Sequence, residues 1–222
     1  LNYSSPTLTN VTFSNNTALY RGGGIALITQ SSPTLTNVTF SNNTALNRGG
    51  GMYLNGQSSP TLTNVTFSGN TAGFSGGGIF ISNASSATLT DVTFSNNTAA
   101  GNGGGMYLGS SSSITLTNVT FSGNTADDGG GMYLRDSSPT LTNSILWGNS
   151  PQEIYFYDFW ESNSITITYS DIQGGESGIE TNDNGTVYWG DGNIDDYPLF
   201  CDPDNGDFTL ASNSPCVGTG QD

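Results

Sequence analysis

Eighteen carboxylates, three guanidinium groups, two thiols and no lysine or histidine are the charged and nucleophilic groups this 222-residue chain could bring to catalysis. Without histidine, a Ser-His-Asp triad is excluded. The arginines, Arg21, Arg48 and Arg135, have no cluster of acidic ligands beside them, which argues against eliminative cleavage of acidic sugars with an arginine base. A glycosidase needs two carboxylates at a set separation, and no acid precedes Asp91. Glu153, Asp158, Glu161 and Asp171 are the acids that could pair, but they read better as solvated loop residues. Nucleic acid is excluded as a partner, because neutralising phosphates takes clustered Lys and Arg.

Three further groups could bind something. Asp202, Asp204 and Asp207 crowd one turn, Asp-Pro-Asp-Asn-Gly-Asp, and could hold a structural Ca2+, yet the spacing does not match an EF-hand loop. The same turn reads equally as a plain hairpin between Leu199-Phe200 and Phe208-Thr-Leu210. Cys201 and Cys216, fifteen residues apart, are expected to form a disulfide that pins the last turn, worth about 3 kcal/mol for such a loop. Tyr155, Tyr157 and Trp160 lie in Ile154-Tyr-Phe-Tyr-Asp-Phe-Trp160, where not every ring can face inward on one strand. Exposed Tyr and Trp are the material of sugar-stacking and subunit interfaces.

The elements that carry these groups follow from a repeat. The phrase Ser-Ser-Pro-Thr-Leu-Thr-Asn-Val-Thr-Phe-Ser-Asn-Asn-Thr-Ala recurs with its leucine at Leu8, Leu35, Leu62, Leu89, Leu116 and Leu141, in steps of 27, 27, 27, 27 and 25. A fixed period of this size means a stacked, one-dimensional architecture. Within a repeat, Leu8, Val11, Phe13, Ala18, Ile25 and Leu27 are spaced by short strands and bends, and no helical periodicity is present. Leu8 and Val11 both face inward only if the chain turns at Thr9-Asn10, where Asn tolerates a left-handed backbone. Gly triplets such as 22–24 and 49–51 mark a second corner. The fold predicted is all-β: a parallel β-helix, or β-solenoid, with about 27 residues per coil and coils about 4.8 Å apart.

Stacking places like on like. Phe13, Phe40, Phe67, Phe94 and Phe121 are expected to form an internal aromatic stack. Asn10, Asn37, Asn64, Asp91, Asn118 and Asn143 make one ladder at the bend; Asn16, Asn43, Asn70, Asn97, Asn124 and Asn149 make a second. Thr7 and Thr9 and their copies form two outward columns, about 4.8 Å apart along the stack and roughly 6.7 Å along the strand. Such an array is compatible with ice binding, although threonine is also simply a favoured residue on a wet strand. Most Asn-x-Ser/Thr triplets, such as those at Asn10, Asn15, Asn37 and Asn42, are by-products of the repeat, since sugars could not all fit on coils about 4.8 Å apart.

The Phe-x-x-Asn pairs (Phe13 to Asn16, Phe40 to Asn43, Phe67 to Asn70, Phe94 to Asn97, Phe121 to Asn124), each followed by Gly-Gly-x-apolar, resemble the polymorphic outer membrane protein repeats of bacterial adhesins and autotransporter passengers. Segments 143–149, 165–175 and 193–203 resemble the closing coils of secreted bacterial β-helix proteins. The resemblance implies a right-handed β-helix and secretion to the cell surface or exterior. It differs in having Gly where those repeats usually carry Ala in third place.

One domain is expected, with residues 1–150 as the repeat body and 151–222 as acidic closing coils and a disulfide-pinned cap. The body holds four acids against three arginines, while residues 153–222 hold fourteen acids and no base. No apolar run is long enough to span a membrane. The chain starts at Leu1 inside a repeat, without a signal sequence or capping helix, so it reads as a mature secreted fragment with an open first coil. The expected function is a non-catalytic extracellular structural β-solenoid that self-associates head to tail into a filament. The alternatives are an adhesin binding glycans through its exposed aromatics and, third, a carbohydrate-active enzyme or ice-binding protein.

Overall fold

The computed structural model describes residues 1–159 and 162–220, so Trp160 and Glu161 lie outside the described residues. Among these the regular structure is strand, apart from two single-turn 3-10 segments, Glu176–Gly178 and Pro203–Asn205. Three parallel sheets run along the stack. The long sheet is built around Thr34–Ser41, Thr61–Ser68, Thr88–Ser95 and Thr115–Ser122. A second sheet holds the short strands Thr17–Ala18, Thr44–Ala45, Thr71–Ala72 and Thr98–Ala99. The third runs from Ile25–Leu27 through Met52–Leu54, Ile79–Ile81, Met106–Ser112 and Met132–Ser137 to Ile154–Phe156.

Register is kept from coil to coil: Leu62 pairs with Leu35 and Leu89, and Phe67 with Phe40 and Phe94. A one-residue slip would turn every apolar side chain outward. The core is therefore a set of like-on-like columns, with Leu35, Phe40, Leu62, Phe67, Leu89 and Phe94 all fully buried. The turn at Thr-Asn falls where expected, at Asn10, Asn37, Asn64, Asp91, Asn118 and Asn143, which have φ between 51° and 56°. Where the repeat gives out, Tyr169 takes over the same conformation at φ 51°.

Each glycine of a triplet is required for a different reason. Gly49 sits at φ +68°. A Cβ on Gly50 would stand 2.3 Å from the Gly77 carbonyl oxygen of the next coil, and one on Gly51 would stand 2.8 Å from the Phe67 ring. The third position therefore packs against the aromatic stack, and an alanine there would have to displace a ring that is already fully buried.

After the last coils the chain forms the expected antiparallel hairpin, Phe200–Asp202 with Asp207–Leu210, turning through Gly206 at φ +82°. The hairpin lies along the side of the long sheet: Asp204, Gly206 and Phe208 line a cleft with Thr66, Thr93 and Asn96, residues of coils far earlier in the chain. The expected disulfide is not formed. Cys201 is a free, exposed thiol on the hairpin, whereas Cys216 is half-buried and directs its Sγ at Asp171 Oδ2, 3.1 Å away. A carboxylate, not the second sulfur, is the partner of Cys216.

Candidate functional site

The asparagine row predicted inside the coils is one continuous hydrogen-bonded column. Asn43 Oδ1 accepts from both the backbone N–H and the Nδ2 of Asn16, at 3.1 and 2.8 Å. Its own Nδ2 donates to Asn70 Oδ1 at 3.0 Å and to the Phe13 carbonyl at 2.8 Å. Asn70, Asn97 and Asn124 repeat this pattern as far as Asn149, and each amide is thereby satisfied in a dry corner. Beside it, the rings of Phe13, Phe40, Phe67, Phe94 and Phe121 stack at 4.6 to 4.9 Å. The ladder at the bend is exposed: Asn37 Nδ2 donates to Asn10 and Asn64 Nδ2 to Asn37, at 3.0 and 2.8 Å. Asn118 Nδ2 donates to Asp91 at 3.0 Å. Asp91 has no side-chain donor to pass on to Asn64, so the ladder breaks between them.

Two carboxylates are buried where the regular repeats end. Glu153, only 5 % exposed, accepts from the Asn149 backbone and side chain. Burial raises its pKa to about 7 despite these hydrogen bonds. Asp171 accepts from Cys216 and from the Asp196 backbone, and burial raises its pKa as well. The same surroundings push the Cys216 thiol up to about 12, first by burial and then through Asp171.

The outer face of the third sheet carries a second aromatic column: Tyr53, Phe80, Tyr107, Tyr133 and Tyr155 stack at 4.6 to 5.4 Å. Each arginine lies on a ring of this region, Arg21 on Tyr53 at 5.0 Å, Arg48 on Phe80 at 5.1 Å and Arg135 on Tyr157 at 4.9 Å. Arginine stacked on a ring face is attracted by its quadrupole.

Next to that column runs one of the corners at which the coils differ. Arg21, Arg48, Ser75, Asn102 and Asp128 stand in one bridged row, so the row changes from cationic to neutral to anionic along the molecule. Leu19 and Tyr20 are each 75 % exposed, Leu46 58 % and Phe74 51 %, all beside the row's first three residues. These exposed side chains were not singled out from the sequence. Their signal was the departure from the repeat itself.

A family model described as "Right handed beta helix region" matches residues 1–158 and 51–196. The chain belongs to the right-handed β-helix family. No curated protein and no solved structure shows significant similarity to it. Membership of the β-helix family sets the fold and leaves activity open.

In this β-helix the other candidates are placed as follows. Tyr155 and Tyr157 are half-buried against Tyr133, at 5.4 and 6.3 Å between ring centres, while Phe159 next to them is exposed. Trp160 lies outside the described residues. Asp202 accepts from Asn205 Nδ2, and Asp207 accepts from the Thr209 backbone and hydroxyl, which holds its carboxyl below the usual range. Among the described residues no three His, Cys, Asp or Glu side chains gather in a metal-holding arrangement. Among the described residues no helix is long and apolar enough to cross a membrane.

Proposed function

We propose that this β-helix is a non-catalytic structural solenoid of the cell surface or exterior, and that copies associate end to end into a filament. The observation that carries this reading is the use made of the repeated polar side chains. Asn43, Asn70, Asn97 and Asn124 spend all their hydrogen-bonding capacity within the stack, which suits a stiff rod. Like-on-like stacking is also how one coil recognises the next within the chain: Leu62 pairs with Leu35 and Leu89, and Phe67 with Phe40 and Phe94.

A glycan-binding adhesin is the second reading, favoured by exposed Phe159 beside Tyr157, which carries the Arg135 guanidinium on its ring. Incubation with a panel of plant, bacterial and host polysaccharides, read by release of reducing ends and by glycan-array binding, separates the possibilities. The structural role expects neither; cleavage would make the chain an enzyme, and array binding lost in Tyr157→Ala and Phe159→Ala variants would make it an adhesin.

A further inference from the structure

We propose that the variable corner is a lateral interface at which two copies of this chain pair side by side in antiparallel orientation. The row Arg21, Arg48, Ser75, Asn102, Asp128 is complementary to its own reverse. A two-fold axis through the middle coil sets Arg21 of one copy against Asp128 of the other, twice, and Arg48 against Asn102. Such isologous pairing is closed, so it yields a dimer and not a lateral aggregate.

The neighbouring row sets an exposed aromatic residue on the same axis. Backbone hydrogen bonds link Tyr20, Asn47, Phe74, Gly101 and Asp127 from coil to coil. Reversed about the axis, exposed Phe74 meets Phe74 of the second copy. The oppositely charged ends of the charged row are about 19 Å apart, four strand spacings, too far to satisfy each other within one chain. The acidic end is itself unrelieved: burial and the neighbouring Asp127 and Asp158 raise the pKa of Asp128. No acid lies near Arg21 and Arg48 in sequence, since the first is Asp91. Exposed Leu19, Tyr20, Leu46 and Phe74 supply the apolar area that such a contact buries.

This pairing is independent of end-to-end assembly, and the test keeps the two apart. In a Cys201→Ser background, the Phe74→Cys variant places one thiol on the two-fold axis, where mild oxidation should link two copies. End-to-end contact cannot bring two residues at position 74 together. We expect a covalent dimer on a non-reducing gel, reduced about tenfold by either Asp128→Arg or Arg21→Asp and restored when both are present. Circular dichroism of each variant verifies that the β-helix is intact. Absence of a Phe74→Cys dimer, or a dimer indifferent to the charge reversals, would overturn the proposal, whether or not filaments form.

Discussion

Asn149 ends the internal amide column on a carboxylate: its backbone N–H and its Nδ2 both donate to Glu153, the former at 3.0 Å. A column of primary amides has a direction, and its last donors need an acceptor. Glu153 supplies one at the cost of burying an ionisable group, and its pKa rises to about 7 from 4.5. The folded state therefore binds this proton more tightly than the unfolded chain. Its contribution to stability is complete below about pH 4.5 and is lost as the pH rises through about 7, a change on the order of 3 kcal/mol. Urea unfolding across this range should show stability falling with pH, and Glu153→Gln should remove most of the slope. An unchanged slope in the variant would assign the pH dependence to other groups.

The two asparagine ladders should differ in energy although they look alike in sequence. Asn97 is fully buried, and its side chain accepts from Asn70 and donates to Asn124 and Phe67. Asn97→Ala strands several buried donors and acceptors and should cost about 3 kcal/mol or more. Asn64→Gly, in the exposed bend ladder, removes one solvent-accessible side-chain bond to Asn37 while keeping a residue that tolerates the left-handed turn at φ 52°, and should cost about 1 kcal/mol or less. Urea midpoints of the two variants, measured side by side, check the ranking.

Thiol chemistry distinguishes the structure from the expected disulfide. Cys201 is exposed, whereas Cys216 is half-buried with its pKa pushed up to about 12. Alkylation of the native protein at pH 8 should modify Cys201 and spare Cys216, because the thiolate is the reactive form. Reductant should leave the melting temperature unchanged. Intact mass lower by two hydrogen atoms, with neither thiol alkylated, would restore the disulfide.

The fold was legible because a near-identical repeat reports each contact several times over. Phe40 stacks on Phe67 because both occupy the same place in successive phrases, and the left-handed turn at Asn37 follows from two inward residues three apart. The cysteines were misread because their separation along the chain says nothing about Asp171, which lies 45 residues before Cys216 and reaches it only through the stack. The position of the hairpin beside Thr93 was equally hidden, since no repeat governs how a tail folds back on a rod. The variable corner escaped notice for a related reason: Arg21, Ser75 and Asp128 become one row only when the coils are superposed.

Negative-stain electron microscopy of the purified chain at micromolar concentration tests the structural reading most directly. Filaments with an axial repeat of about one molecule are expected, unaffected by chelator. Isolated short rods at every concentration would contradict end-to-end assembly and move the adhesin reading to first place.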